Sequence, residues 1–370
     1  MNKLYLSLEL SSKKWKLGWS CLESRRMKTT DIDSGDWAAF DASKEAAIST
    51  FNLTDPRIIS CYEAGRDGFW IHRGLETRGL VNLVIDSASI EVDRRKRHAK
   101  TDSIDLKSMN TLLKRHDNDA DDFTFRIAQV AQVPTRKDED DRQLHRQLEA
   151  SKKRRTSLSN TIKALLVGQG VKLDILSGLG KSIDTMLNGN GKPLGQVLKA
   201  RLKADYAQYE LVDQQINQLH KLQEKQTKEA ATTKTAMVKQ FTNLRGIGTK
   251  SAWILVMEVF GWRSFQNRRQ AGSYTGLTPT PWASGDLSRE QGISKAGNAR
   301  IRWLMVELSW LWVRWQPQSK LSKWFKERTE HSGKRMRRLS IVALARKLFI
   351  ALWRYITQGV VPQGATLTPA

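Results

Sequence analysis

The chain has 370 residues, of which 39 % are hydrophobic, so it can build cores for two or three domains. Its 62 Lys and Arg residues outnumber its 38 Asp and Glu residues, and the resulting net charge of +24 indicates a polyanion as the main partner. Apolar runs stay well short of the ~20 residues of a membrane span, and the six histidines show no metal-ligand spacing. These features exclude a membrane-spanning protein and a zinc protein.

Short apolar strands alternate with helices in the first third of the chain. Residues 3–10 and 15–21 alternate in hydrophobicity and predict two strands joined by a turn. Two further buried strands are predicted at 57–63 and 80–86. Three helices are predicted at 37–52, 67–79 and 104–115, and a basic connector at 93–102 precedes the last of them. This order of elements is typical of an α/β layer.

Carboxylates stand at the ends of these predicted elements. Glu9 lies at the end of the first strand and Glu63 ends the 57–63 strand. Asp102 and Asp105 are three residues apart at the start of a helix, and so lie on one face of it. Any one of them could be a solvated surface charge, but four converging carboxylates would repel each other unless divalent cations neutralised them. Mg²⁺ prefers such an oxygen-only ligand set, and a pair of ions about 4 Å apart can activate an attacking oxygen.

The middle of the chain has a different character. Apolar residues recur at helical spacing among many charges over 138–167 and again over 196–231, with a Gly-rich connector at 168–193. The pattern predicts two long amphipathic helices that form an antiparallel hairpin or coiled-coil arm. The sequence leaves open whether this arm is a spacer or a dimerisation element.

The chain becomes apolar again from residue 240. Gly246 and Gly248 form a turn that opens onto an apolar helix, and amides at such a helix start can hold a phosphate. The region 298–357 is predicted to be helical and contains six tryptophans, most of which we expect in the core and some of which could stack on bases. A basic run near the start of the last helix is a candidate contact to a nucleic-acid backbone: Lys334, Arg335, Arg337 and Arg338.

Between these helical parts, residues 274–303 are rich in Gly, Ser and Pro and then become basic. Ser284 is predicted to lie on an exposed loop beside Gly285, which would let another backbone approach closely. Three cations follow just downstream: Lys295, Arg300 and Arg302. A loop serine beside a phosphate-sized basic patch indicates phosphoryl chemistry, although taken alone it could be a simple turn residue.

Both ends of the chain resemble one protein family. The stretches "LSLELSSKKW", "CYEAGRDGFW" and "HAKTDSIDLKSMNTLL" resemble the N-terminal domain of the DEDD transposases of bacterial insertion sequences, which are related to Piv-type DNA invertases. The block that starts "LRGIGTKSAWILVMEVFGW" and ends "GNARIRWLMVELSW" resembles their C-terminal transposase domain. The resemblance implies a RuvC-like α/β domain of RNase H fold at 1–125, a helical coiled-coil arm at 126–237, and a mostly α-helical domain with a helix-hairpin-helix-like turn at 238–370.

The resemblance also implies a chemistry. The four metal-binding acids of the family map onto Glu9, Glu63, Asp102 and Asp105, with Mg²⁺ (Mn²⁺ is possible) as the cofactor. Ser284 maps onto the nucleophile, which attacks a DNA phosphodiester, forms a covalent phosphoserine and exchanges strands without hydrolysis. The expected nucleic-acid contacts are Lys100, Arg245, Gly246, Gly248, Lys250, Gly285, Lys295, Arg300 and Arg302.

The implied partners are donor and target DNA, a structured bridge RNA encoded by the element, and further copies of the chain in dimers or tetramers. Such a protein would be bacterial, cytoplasmic and associated with the nucleoid. Two other functions stay open at this point. One is a RuvC-like, Mg²⁺-dependent nuclease that hydrolyses branched DNA without needing Ser284. The other is a non-catalytic DNA- or RNA-binding protein.

Two residues qualify the resemblance. The first acid of the family is usually Asp, whereas this chain has Glu9, whose extra methylene moves the carboxylate by roughly a bond length at a site where Mg²⁺ geometry is strict. Tyr274 is a rival nucleophile of the kind used by tyrosine recombinases, and we expect it instead to be a packed aromatic at a helix end.

Overall fold

The computed structural model describes residues 2–24, 26–65, 68–86, 102–118, 130–284 and 287–368. The chain divides into two compact units, Met1–Pro134 (unit 1) and Thr135–Ala370 (unit 2). A search of the described helices finds none with the length and apolar character needed to cross a bilayer.

Unit 1 is built on a five-stranded mixed sheet with the order β3-β2-β1-β4-β5. Strands β1, β4 and β5 are parallel, whereas β2 runs antiparallel to both β1 and β3. The elements of unit 1 are β1 (Lys3–Leu10), β2 (Lys14–Cys21), β3 (Lys28–Asp33), α1 (Trp37–Thr50), β4 (Arg57–Glu63), α2 (Trp70–Glu76), β5 (Val81–Ile85) and α3 (Asp102–Asn118).

Helices cover both faces of this sheet because both faces of its central strands are apolar. On one face Leu4, Leu6 and Leu8 of β1 are fully buried in a core that also includes side chains of α1 and α2. On the other face Tyr5 of β1 packs with Ile59, Cys61 and the apolar side of α3. Every second side chain of a strand points to the same face, so this alternation decides which residues face α3.

Unit 2 begins with the predicted arm. Its elements are α4 (Arg136–Asp141), α5 (Gln143–Val167), α6 (Leu179–Ser182) and α7 (Gln196–Glu229). Helices α5 and α7 pack against each other in antiparallel fashion, since Arg155 pairs with Asp213 at 2.6 Å while Ile162, further along α5, shares a core with Leu202, near the start of α7. The predicted pair of long helices is confirmed.

In the described residues after α7, the regular structure of unit 2 is helical except for one β-hairpin. Its elements are α8 (Thr233–Thr242), α9 (Thr249–Leu255) with a π-helical turn (Val256–Phe260), α10 (Arg268–Tyr274), β6 (Pro279–Ser284), β7 (Leu287–Ile293), α11 (Ala299–Trp315), α12 (Lys320–Thr329) and α13 (Lys334–Gln358). A single large core joins α8, α9, α11 and α13, with Trp253, Trp312 and Phe349 among its most buried side chains.

Gly74 of α2 sets how closely that helix approaches a neighbouring tryptophan. A Cβ atom placed on Gly74 would overlap the six-membered ring of Trp37, which packs edge-on against Trp15 with ring centroids 5.2 Å apart. An alanine usually stabilises a helix relative to glycine by about 1 kcal/mol. At this position the overlap reverses that preference.

We therefore expect Gly74→Ala to lower the free energy of unfolding by roughly 1–2 kcal/mol, because overpacking outweighs the gain in helix propensity. Denaturant unfolding followed by tryptophan fluorescence measures the change. Gly65→Ala in the same unit is the matched control, since its added Cβ would meet only a backbone oxygen at 3.8 Å. Equal stability of the two variants would contradict the expected overlap.

Candidate functional site

Two of the predicted acids lie on neighbouring strands at one end of the sheet in unit 1. In the parallel pair β1–β4, the register ends with Leu8 opposite Tyr62, and Glu9 and Glu63 are the next residues of the two strands. Neighbouring strands are about 4.8 Å apart, and residues at equivalent positions point to the same face. Glu9 is half-buried and Glu63 is exposed.

Helix α3 brings its first turn to the same end of the sheet. Near its C-terminus Asp117 accepts hydrogen bonds from Lys3 and from the hydroxyl of Tyr5, both at 2.7 Å. Near its N-terminus the carbonyl of Leu106 accepts a 2.9 Å bond from the hydroxyl of Ser7. The helix therefore runs antiparallel to β1, and its first turn lies over the end of the strand that carries Glu9.

That first turn supplies the two other predicted acids. Asp105 precedes Leu106 and is half-buried, and Asp102 is the first residue of the helix, with its side chain outside the described part. Carboxylates at a helix N-terminus are favoured by the positive end of the helix dipole. Asp86 follows the neighbouring strand β5, but alternation along that strand places it on the opposite face from Glu63.

The donor chemistry of this edge suits a hard cation. Its ligands are all oxygens, and Mg²⁺ in proteins is commonly held by one or two carboxylates completed by water and by substrate phosphates. The side chains that the structure describes do not by themselves form a group of three or more metal ligands. An ion held here would therefore be bound by one or two of the described carboxylates. Its remaining ligands would come from Asp102, whose side chain lies outside the described part, or from the substrate.

Ser284 is the last residue of β6, at the tip of the hairpin that β6 forms with β7. It is paired with Leu287, and only two residues connect the strands. The irregular loop expected from the sequence is thus a strand end, and the hairpin itself was not predicted. The side chain of Ser284 and the whole of Gly285 lie outside the described residues, as does Lys100.

The base of this hairpin is closed by main-chain contacts. Ser294 N donates to Thr278 O at 2.9 Å, and Lys295 N donates to Gly276 O at 3.0 Å. Gly276 and Gly297 both have positive φ, at 64° and 92°. A side chain at Gly276 would collide with the carbonyl of Ala296, and one at Gly297 with the carbonyl of Tyr274. Only glycine fits at both positions, so the chain ends entering and leaving the hairpin lie against each other.

Tyr274 and the three downstream cations surround this base. Tyr274 accepts a 3.2 Å hydrogen bond from Asn298 and packs against Phe265, and burial raises its pKa, which is unfavourable for a nucleophile. Lys295 is exposed. Arg302 donates to the carbonyl of Lys295 at 2.9 Å, so it braces the segment between β7 and α11.

Arg300 belongs to a buried ion-pair network centred on Glu258. This carboxylate, in the π-helical turn, is 1 % exposed and accepts from Arg146 at 2.8 and 2.9 Å and from Nε2 of His145 at 2.8 Å. Arg300 contacts it at 3.5 Å and also pairs with Glu149. The network ties α5 to the start of α11. No local sequence pattern reveals it, because His145 and Arg146 lie 113 and 112 residues from Glu258 along the chain.

The protonation states follow from these contacts. Burial would raise the pKa of Glu258, but the hydrogen bonds from His145 and Arg146 and the positive charge of Arg146 outweigh it and lower the pKa to about 2. Burial lowers the pKa of His145. The neutral imidazole therefore donates through Nε2–H to an ionised carboxylate.

The Gly-x-Gly turn has the shape expected from the sequence. Gly248 is the N-cap of α9, and Arg245 and Lys250 on either side of the turn are exposed. Their guanidinium and ammonium groups lie over the rings of Trp315 and Trp303, at 5.4 and 6.0 Å. Both cations are thus available at the surface of unit 2.

Comparison with known proteins gives a consistent result. Residues 238–323 match the family described as "Transposase IS116/IS110/IS902 family". The chain is 35 % identical over 382 residues to "Putative transposase y4rJ" of Sinorhizobium fredii, a match that covers 99 % of this chain and 95 % of the relative. It is 27 % identical over 222 residues to "Transposase for insertion sequence element IS1328" of Yersinia enterocolitica, covering 59 % and 63 % of the two chains.

The Glu258 network predicts a pH-dependent contribution to stability. The pKa is lower in the folded chain than its ordinary value of 4.5, so the contribution is complete above pH 4.5 and is lost as the pH falls towards about 2. We expect Glu258→Gln to cost roughly 3 kcal/mol of unfolding free energy at pH 7.

Denaturant unfolding at pH 7 and pH 3 tests this, and the difference between variant and parent should narrow at the lower pH. Glu229→Gln carries the same substitution at an exposed pair with Lys225 (3.9 Å) and should change stability by less than about 0.5 kcal/mol. A Glu258→Gln protein as stable as the parent at pH 7 would mean that the network contributes nothing.

Proposed function

Because the chain belongs to the IS116/IS110/IS902 family of transposases, which are DNA phosphoryl-transfer enzymes, we propose that it exchanges DNA strands through a covalent bond between DNA and Ser284. The observation that carries this proposal is the position of Ser284. It lies within the matched segment, at the tip of a hairpin whose base is fixed by Gly276 and Gly297. A nucleophile held this way can be presented to a bulky duplex.

The proposed step is a transesterification. The Ser284 oxygen forms a bond to phosphorus, the bond from phosphorus to the leaving deoxyribose oxygen breaks, and the serine proton is removed as the leaving oxygen gains one. The phosphoester energy is kept in the new bond, so a second strand can reverse the step without hydrolysis. A serine hydroxyl is a weak nucleophile and needs a base or a metal.

We assign that assistance to the carboxylates at the ends of β1 and β4 and in the first turn of α3: Glu9, Glu63, Asp102 and Asp105. The strand order of unit 1, in which β2 runs antiparallel to the four other strands, supports an RNase H-like, RuvC-like domain. These residues would hold Mg²⁺, or Mn²⁺, which when bound supplies charge neutralisation and oxygen activation. In an oligomer, the carboxylates of one subunit can serve the serine of another.

Phosphate contacts are assigned to exposed cations of unit 2. Arg245, Lys250 and Lys295 are exposed, whereas Arg300 is engaged by carboxylates and would have to exchange partners to meet DNA. The net charge of +24 suits binding of donor DNA, target DNA and a structured guide RNA. Three large apolar side chains of α7 are exposed, and we assign the contacts of dimers or tetramers to the arm.

We expect Ser284→Ala to abolish strand exchange and covalent adduct formation while DNA affinity changes less than two-fold, because affinity comes mainly from Lys and Arg contacts to phosphates. Incubation with DNA carrying the element ends, followed by a denaturing gel, measures the adduct. Ser294→Ala, at the base of the same hairpin, is the matched control and should form the adduct as the parent does.

The other products of that incubation identify the competing functions. Nicked DNA free of protein, equal in parent and Ser284→Ala, would indicate a hydrolytic nuclease. Unchanged DNA would indicate a binding protein. Either result removes Ser284 from the proposed role.

Glu9 gives a second test, with a readout that does not need activity. Glu9→Gln keeps the side-chain length but removes the charge, so we expect it to weaken Mn²⁺ binding about ten-fold or more, measured by electron paramagnetic resonance of free Mn²⁺. Glu9→Asp keeps the charge and should bind Mn²⁺ within about three-fold of the parent and retain strand exchange, since carboxylates are the ligands that hard cations select.

Glu45→Gln, at an exposed position of helix α1, is the matched control for loss of one negative charge in unit 1. If the parent protein, Glu9→Gln and Glu9→Asp gave the same Mn²⁺ titration curve, residue 9 would be excluded as a metal ligand.

A further inference from the structure

The outer face of helix α11 is unusually apolar for a surface. It consists of Trp303, Glu307, Trp310, Leu311, Arg314 and Trp315, which recur at spacings of three, four and seven residues and so project from one side of the helix. Trp303 is 52 % exposed, Trp315 40 % and Trp310 36 %. The opposite side, including Leu304, Leu308 and Trp312, is buried in the core of unit 2.

This distribution differs from the expectation that most tryptophans of the region are core. Of the six, only Trp312 and Trp353 are buried, while Trp324 is half-buried. Exposing three indole rings along one helix face leaves a large apolar area in water. Such a face is typical of a binding surface.

Each of the three rings has a cation beside it. Lys250 lies 6.0 Å from the Trp303 ring centre and Arg337 lies 5.5 Å from that of Trp310. Arg245 and Arg314 both lie 5.4 Å from that of Trp315. Among the described residues, none of these four cations forms an ion pair with a carboxylate, so their charges are available to an incoming anion.

Basic side chains of the arm lie on one side of Lys250. Lys152 of α5 is close enough to Lys250 and Arg155 for their positive charges to interact, although Arg155 also pairs with Asp213 at 2.6 Å. The pKa of Lys152 is lowered mainly by burial and further by the positive charges of Lys250 and Arg155. Burial, followed by the charge of Lys152, lowers that of His220, although Glu224 opposes this effect. A phosphate placed here would relieve the repulsion.

We propose that the outer face of α11 binds unpaired nucleotides, whose bases stack on Trp303, Trp310 and Trp315 while their phosphates contact the flanking cations. Flat aromatic rings interleaved with cations are complementary to a strand of alternating bases and phosphates. A duplex is a poor match, because its base faces are already stacked. Trp303 and Trp310 are seven residues apart, about 10.5 Å along the helix, which leaves room for more than one nucleotide between them.

The inference rests on the proposed function only for the presence of nucleic acid. The unpaired strand could be DNA displaced during exchange or a loop of a guide RNA, and both offer the same chemistry. Glu307 is the one acid on this face and would repel phosphates.

The test is fluorescence anisotropy of the full chain with a labelled 12-nucleotide oligothymidylate, at one fixed salt concentration. An abasic strand of the same length is the reference, since it keeps the phosphates and lacks the bases. We expect Trp303→Ala to weaken oligothymidylate binding about ten-fold, the lower part of the range for one stacked base, and to leave binding of the abasic strand within two-fold.

Three further variants separate stacking from other effects. Trp303→Tyr restores an aromatic ring and should recover most of the affinity. Leu311→Ala, the matched control, removes an apolar side chain of the same face that cannot stack and should change affinity less than two-fold. Glu307→Gln should tighten binding of both strands, an effect that a purely structural role would not produce.

Several results would overturn the proposal: equal affinity of parent and Trp303→Ala for oligothymidylate, an equal loss for the abasic strand, or a change in oligomeric state by light scattering without a change in affinity. The last would mean that a second copy of the chain covers the face. Oligouridylate in place of oligothymidylate distinguishes RNA from DNA as the natural strand. The oligonucleotide does not contain the ends of the insertion sequence, so its binding does not depend on whether Ser284 forms an adduct with DNA. Failure of this binding test would likewise leave the adduct test unaffected.

Discussion

The organisation of unit 2 depends on one buried carboxylate. Glu258 lies in the π-helical turn after α9 and accepts a hydrogen bond from His145 of the arm. Its charge is balanced by Arg146 of the arm and by Arg300 from the start of α11. A buried charge without partners would cost several kcal/mol, so these three elements cannot separate without a large loss of stability. The arm and the segment that leads out of the serine hairpin are therefore held to the same point of the core.

This constraint links several features that would otherwise be separate. Arg300 lies two residues before Arg302, which braces the carbonyl of Lys295, and Lys295 N in turn contacts Gly276 O across the base of the hairpin. The charge network thus continues into main-chain contacts that end at the hairpin carrying Ser284. Displacing the arm would disturb Glu258 first and the hairpin base next.

Much of the fold could be predicted from the sequence, because the signals are local. The alternation in β1 and the apolar run of β4, 57–63, gave strands that match the structure closely, and the two long arm helices follow from periodicity. Strand β3 (Lys28–Asp33) was missed because it is a polar strand at the edge of the sheet with one buried residue, Ile32. The β6–β7 hairpin was missed because Pro279 and Pro281 are typical of loops.

The candidate site was predicted less completely, and the reason is again physical. Glu9, Glu63 and the start of α3 meet because strand ends of a parallel sheet share an edge, which a sequence can indicate. Arg300 was expected to face DNA, yet its partner Glu149 lies 151 residues away, and no local pattern reports such a pair. Likewise, a helix with tryptophans on both sides does not reveal which of them the core leaves outside. The three-domain division and the roles of the site residues remain predictions.

Because the base of the hairpin is fixed, a small rotation at the base produces a larger displacement at the tip. Strand β6 has six residues and at about 3.3 Å per residue spans about 20 Å, with Ser284 at its far end. A rotation of about 3° at the glycine base would carry the far end through about 1 Å, and a misplacement of that size can reduce a reaction rate about 100-fold. Small adjustments where the hairpin joins the core are therefore magnified at Ser284. Under the proposed function, a binding event at the base would switch strand cleavage on or off without rearranging the hairpin itself.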